Sequence, residues 1–166
     1  MTIAITDANV FIDLIKLQLL GYLFRINLEI YTTQEVIDEL NESQLLIMQA
    51  FIQSQSLIIY KFTEEEIIEI HNVQAPKGLT FEDKTVAWLA IKLTALILSG
   101  DNLLRKYCLK QQLDVKGVIW LFESFIEYEL INHVTAIEKM NELLSFNSRL
   151  PLAECEERLR LWKSRL

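Results

Sequence analysis

A chain of 166 residues that is 51% hydrophobic, with mean hydropathy +0.22, is not disordered and has enough apolar surface to bury a core without disulfides or structural metal. Its 4 glycines and 2 prolines are too few for the many turns of an all-β sandwich. A formal charge of -7 and a pI ≈ 4.9 exclude a global positive field that would recruit nucleic acid.

In chain order, Ile3-Ala4-Ile5-Thr6 is a short β-rich run that stops at Asp7. From Ala8 to Leu20 the apolar residues Val10, Phe11, Leu14, Ile15 and Leu19 recur at helical spacing, and Gly21 is expected to end the helix. Leu28 to Tyr31 reads as a second strand. Thr32 and Glu35 have the spacing of a capping box, predicting a helix through Val36, Ile37 and Leu40. Leu57-Ile58-Ile59-Tyr60 is a third strand, and Thr63-Glu64-Glu65-Glu66 opens a helix with acids at its positive end. Phe81 to Ala95 is a long helix, Leu96 to Ser99 an apolar strand, and Leu103 to Gln111 a further helix. Asp114-Val115 follows as a short edge strand. Three helices complete the chain: Gly117 to Ile131, Val134 to Phe146, and Pro151 to Lys163, with Pro151 suited to a first helical position.

Strands alternating with helices, with apolar runs instead of in-out alternation, imply a parallel sheet covered on both faces. Without a repeat or a Pro/Gly/Ser linker, residues 1–166 are expected to form one domain, an α/β core over 1–130 with a helical extension over 131–166. Cys108 and Cys155 lack metal-ligand spacing and suit a reducing cytoplasm. No secretory signal precedes Asp7, and the apolar stretch Val86 to Leu98 is broken by Lys92 and Thr94 and too short to span a bilayer. A soluble cytoplasmic protein without a membrane partner is the expectation. In the last helix Leu152, Cys155, Leu159, Trp162 and Leu166 make an apolar stripe, which either docks on its own domain or forms a dimer surface.

In open α/β sheets ligands bind beyond the carboxyl ends of strands, which points to Asp7 and Asp101, the acids that follow the first and fourth strands. Two more acids stand on inward edges of helices. Glu39 lies nearest the side defined by Val36, Ile37 and Leu40, and Asp83 projects with Ala87 and Ala90, with Glu82 the competing choice. An acid on a packed face is costly unless a cation or hydrogen bonds compensate it. The remaining clusters, Glu64-Glu65-Glu66 with Glu69 and Glu154 with Glu156-Glu157, read as solvated faces. Convergence of Asp7, Glu39, Asp83 and Asp101 would create a hard-oxygen site suited to Mg2+ or Mn2+; the alternative is four unrelated acids, two of them helix N-terminal.

Thr6-Asp7-Ala8-Asn9-Val10-Phe11-Ile12-Asp13 resembles the opening motif of PIN-domain proteins. Glu39 in Val36-Ile37-Asp38-Glu39-Leu40, Asp83 after Thr80-Phe81-Glu82, and Asp101 closing Leu96-Ile97-Leu98-Ser99-Gly100 are similar to that family's second, third and fourth acids. The likeness runs from residue 3 to about residue 125. It implies a three-layer α/β/α fold around a mostly parallel sheet, with extra C-terminal helices. It also implies a Mg2+- or Mn2+-dependent endoribonuclease in which the four acids are catalytic metal ligands. Common bacterial members are similar to VapC-type toxins, which would add an antitoxin protein and a homodimer to RNA as expected partners. In this reading Asn9 and Ser99 support the site or merely make turns, and Arg105, Lys106 and Lys110 are candidate phosphate contacts. Ser99 stands where Thr is commoner. An RNA-binding or protein-interaction module that keeps the acids only as structure is the alternative. A haloacid-dehalogenase-type phosphatase would need an acid where Asn9 stands.

Overall fold

The computed structural model describes residues 1–166. Its strands are β1 (Thr2–Thr6), β2 (Leu28–Thr33), β3 (Leu57–Tyr60), β4 (Leu96–Leu98) and β5 (Val115–Lys116), all parallel in the order β3-β2-β1-β4-β5. β1 is central because Ala4 and Ile5 have no exposed surface, as a strand covered on both faces requires. Its register opposes Ile5 to Tyr31 on one side and Thr6 to Leu98 on the other. The chain winds outward from β1 through β2 to β3, then crosses back to β4 and β5, so the sheet order reverses between β1 and β4. A crevice opens at such a switch beyond the strand ends. Asp7 and Asp101 flank it.

Helices cover both faces: α1 (Ala8–Lys16), α2 (Leu20–Leu23), α3 (Gln34–Ile37), α4 (Glu42–Gln53), α5 (Glu64–His71), α6 (Phe81–Leu93), α7 (Asn102–Lys110), α8 (Val118–Glu127), α9 (His133–Phe146) and α10 (Leu152–Lys163). The result is the three-layer α/β/α fold, with the sheet wholly parallel. No helix is long and apolar enough to cross a membrane.

Several boundaries differ from the sequence reading. The helix expected from Ala8 to Leu20 stops at Lys16, because Gln18 takes a left-handed backbone (φ 59), and Gly21 lies inside α2 instead of ending α1. Thr32 is a strand residue whose hydroxyl donates to the Thr6 carbonyl, and Thr33 is the true cap of α3, accepting from Val36 N. That helix ends at Ile37, so Glu39 sits on the following turn. α4 was not anticipated, although Asn41 and Gln44 form a reciprocal capping box at its start. The helix from Phe81 ends at Leu93, two residues short of Ala95, because Thr94 takes a left-handed backbone (φ 51). Pro151 precedes α10 as its cap residue.

Part of the stripe on α10 is used within the chain. Cys155, Leu159 and Trp162 join the same buried cluster as Ile5, and Trp162 lies 5.8 Å from the Phe122 ring of α8. Leu152 and Leu166 stay 59% and 73% exposed. Glu66 also departs from the solvated reading, pairing with Lys92 at 2.8 Å and accepting from the Tyr60 hydroxyl, while Glu69 is exposed and accepts from the Trp88 indole. Arg158 bonds Glu123 of α8 at 3.3 Å.

Candidate active site

Asp7 is where β1 becomes α1. Its Oδ1 accepts from Ala8 N at 2.8 Å, capping the helix, and its Oδ2 accepts from the Ser99 hydroxyl at 2.9 Å and from Asn9 Nδ2 at 2.8 Å. Only 4% of the residue is exposed. Burial pushes its pKa up to about 6 despite the bonds from Ser99 and Ala8, with the charges of Asp83 and Asp101 pushing the same way.

Asp101 follows β4 in the same fashion and caps α7 by accepting from Leu104 N at 2.7 Å. Two side chains stitch these strand ends together. The Ser99 hydroxyl that donates to Asp7 also accepts from Asp101 N at 3.1 Å. The Asn9 amide donates to Asp7 and accepts from Gly100 N at 2.9 Å.

Asp83 comes from the first turn of α6, where it and Thr80 bond reciprocally in a capping box (Thr80 N to Oδ2 3.0 Å, Asp83 N to Thr80 Oγ1 3.1 Å). Its pKa is raised by burial, against the Thr80 bonds, and by the Asp101 and Glu82 charges. Glu39 reaches in from the turn after α3. It is exposed, but partial burial, then the charges of Asp7, Glu82 and Asp83, push its pKa up to about 7. The Asp83 and Asp101 charges act on Asp7, those of Asp7, Glu82 and Asp83 on Glu39, and those of Asp101 and Glu82 on Asp83. Glu82 belongs to this group too. None of Asp7, Glu39, Asp83, Asp101 or Glu82 is in an ion pair; the ion pairs use Glu66, Asp114, Glu142 and Glu123.

Carboxylates that no Lys or Arg pairs fit a hard divalent cation, which would offset the mutual charge that adds to burial in raising Asp7 and Glu39. The side chains do not form a closed shell as they stand: no group of three His, Cys, Asp or Glu residues is arranged to hold a metal.

The family model DUF3368, described as a PIN domain, matches residues 3–164, nearly the entire chain. The chain belongs to the PIN-domain family. A solved structure described as a domain of a functionally unknown protein from Methanocaldococcus jannaschii DSM 2661 aligns with a TM-score of 0.49 at 16% identity, covering 70% of this chain and 91% of that one. No curated protein matches.

Within this PIN domain the candidate phosphate contacts divide. The Arg105 guanidinium is tied into the fold, donating to the carbonyls of Val115 at 3.0 Å and Ser99 at 3.4 Å, and so it joins β4 to β5. Lys106 and Lys110 are exposed on α7. Residues that the sequence reading passed over also shape the site. Thr33 and Thr85, both fully buried, share a hydrogen bond of 3.0 Å that fixes the end of β2 against α6. Cys108, buried on α7, is pushed up to about 12 by burial and by the charges of Asp83 and Asp7. None of these had a local signal, whereas Thr80 did, in the Thr-x-x-Asp spacing of a capping box.

Proposed function

We propose that this PIN domain is a metal-dependent endoribonuclease that hydrolyses RNA phosphodiesters at the crevice between β1 and β4. The observation that carries the reading is the group of carboxylates at the switch point that lacks any ion-pair partner, with Asp7 buried and held by Ser99 and Asn9. Such a group is destabilising by itself, and a cation gives it a function.

Asp7, Glu39, Asp83 and Asp101 would hold Mg2+ or Mn2+. When bound, the cation supplies Lewis acidity toward a phosphoryl oxygen and acidifies water. The reaction adds water across one P–O bond and leaves a phosphate end and a hydroxyl end. Ser99 and Asn9 act as positioning residues, keeping the Asp7 carboxylate aimed and tying it to the Asp101 loop. Thr80 does the same for Asp83. The acidic pI does not oppose this activity, because the neutralised pocket no longer repels phosphate.

Purified protein with Mg2+ or Mn2+ should cut RNA, and Asp7→Asn should abolish the cutting with the circular dichroism spectrum unchanged, since Asn also caps a helix. Cleavage that survives in Asp7→Asn, or in excess chelator, overturns the assignment and leaves the non-catalytic module. We further propose the toxin role in a toxin–antitoxin pair, supported by the family resemblance alone. Expression should then arrest growth and a small neighbouring gene should relieve the arrest; growth unaffected by active protein removes that role.

A further inference from the structure

We propose that Thr33 and Thr85 are positioning residues that hold Glu39 in place against Asp83, and so decide how tightly the site grips its divalent cation. The inference rests on the metal-dependent reading given above.

Ser99 and Asn9 tie Asp7 to the Asp101 loop, but neither bonds a residue of α3 or α6. Glu39 is exposed on its turn, so its place depends on the backbone that carries it. That backbone is held by a series of hydrogen bonds that crosses from α3 to α6. Glu39 N donates to the Val36 carbonyl at 3.1 Å, and Val36 N donates to Thr33 Oγ1 at 3.2 Å. Thr33 and Thr85 share their hydroxyl bond at 3.0 Å, and the Thr85 hydroxyl donates to the Glu82 carbonyl at 2.6 Å.

Proton accounting gives the series a direction. A hydroxyl has one proton to donate. Thr85 gives its proton to a carbonyl, which can only accept, so Thr33 is the donor between the two hydroxyls. Every bond then points one way, from the Glu39 amide to the peptide bond that Glu82 shares with Asp83. Bonds aligned in this way polarise and strengthen one another. Val36, Thr33 and Thr85 have no exposed surface, so water does not reach them to replace a lost partner.

Capping explains the Thr33 hydroxyl but not that of Thr85. Valine would fill the same volume there, as the buried Val86 does at the next position. A helical threonine already satisfies its proton through the carbonyl one turn back. What the Thr85 hydroxyl adds is an acceptor for Thr33, and with it a link between two elements that both carry acids of the site. The charges of Glu82 and Asp83 act on Glu39. Mg2+ accepts little departure from octahedral geometry, so a shift between the turn and the helix weakens its binding.

The test compares wild-type protein with Thr85→Val, Thr85→Ser and Ser124→Ala, the last removing a buried hydroxyl of α8 that donates to the Trp120 carbonyl. Mn2+ binding is read without RNA from the paramagnetic signal of the free ion, and exchange of the Glu39 amide is read by NMR in metal-free protein. Thr85→Val should weaken Mn2+ binding about tenfold and quicken Glu39 exchange by about the same factor. Thr85→Ser keeps the hydroxyl and should stay within about twofold of wild type in both. Ser124→Ala should lower the melting temperature and leave both readouts unchanged. Thr33→Val acts on the same series, so combined with Thr85→Val it should lose less than the product of the two single losses. Thr85→Ala serves in place of Thr85→Val if melts show the latter unfolded. Unaltered Mn2+ binding in folded Thr85→Val, equal losses in Ser124→Ala, or fully multiplicative losses in the double variant overturn the inference. Wild-type protein that binds no Mn2+ overturns the metal reading; unaltered Glu39 exchange in Thr85→Val overturns the tie itself, whether or not metal binds.

Discussion

At the scale of single residues the site depends on short polar side chains that aim the carboxylates. The Ser99 hydroxyl serves Asp7 and Asp101 together, donating to one side chain and accepting from the other's backbone. Ser99→Ala should lower kcat/KM about 10–100-fold, the usual effect of losing a partner that orients a metal ligand. Its bond lowers the pKa of Asp7, so its loss should move the acid limb of the pH–rate profile to higher pH. Ser99→Thr keeps the hydroxyl and should restore both readouts. A Ser99→Ala profile superimposable on wild type would show that the hydroxyl only makes a turn. The sequence identified Ser99 and Asn9 as neighbours of acids. The Asn9–Gly100 bond, joining positions 91 apart, is visible only in the folded chain.

At the scale of elements, capping separates stability from function. Thr63 and Thr80 both cap helices through reciprocal boxes, but Thr63 works with Glu66, remote from the site, and Thr80 with Asp83. Either replaced by Ala should lower the unfolding free energy by about 1 kcal/mol. Only Thr80→Ala should also raise the Mg2+ concentration required for half-maximal cleavage, which a metal titration of both variants measures. Equal metal dependence would mean that Asp83 needs no such support. Trp162 is fully buried on α10 and bonded to Glu123 on α8, so Trp162→Ala should cost about 3–5 kcal/mol in denaturant melts, a loss that a loosely appended helix would not show. Strands and long helices were legible because apolar runs and capping residues are local signals. The end of α3 was not, because helical spacing continues through Leu40 while the backbone turns after Ile37. Glu39 therefore stands on a turn and not on the helix face from which the sequence argument started.

At the scale of the whole molecule, the buried acids set a stability profile. Asp7 is raised from 3.8 to about 6, and burial raises Asp13 and Asp83 in the same direction. In the window between the unfolded and folded values the native protein binds more protons than the unfolded chain, so stability falls as pH rises and levels off above about pH 7. Full expression of the Asp7 shift would correspond to about 3 kcal/mol, of which roughly half is felt between pH 5 and pH 8. Metal-free protein should therefore melt about 3 °C or more higher at pH 5 than at pH 8, and Mg2+ should stabilise it most at pH 8. Glu66, held low by its bond from Lys92, acts in the opposite sense only at lower pH. Asp7→Asn should flatten the profile. A melting temperature that rises from pH 5 to pH 8 in chelator would show that Asp7 is not protonated in the folded state.

The sequence by itself determined the parallel α/β class, the order of its acids and the strand ends at which Asp7 and Asp101 stand, because apolar runs, helical spacing and strand-end acids are written locally. Tertiary structure alone decided which of these acids share a field, since β1 and β4 become neighbours only when the sheet order reverses. It also decided that the -7 charge is not spread evenly: part is gathered, without ion-pair partners, at the switch point, while Arg149 and Lys116 line a cavity beside it. A net charge sums over the chain and carries no positions, so the composition that excluded a global positive field left the local surface open.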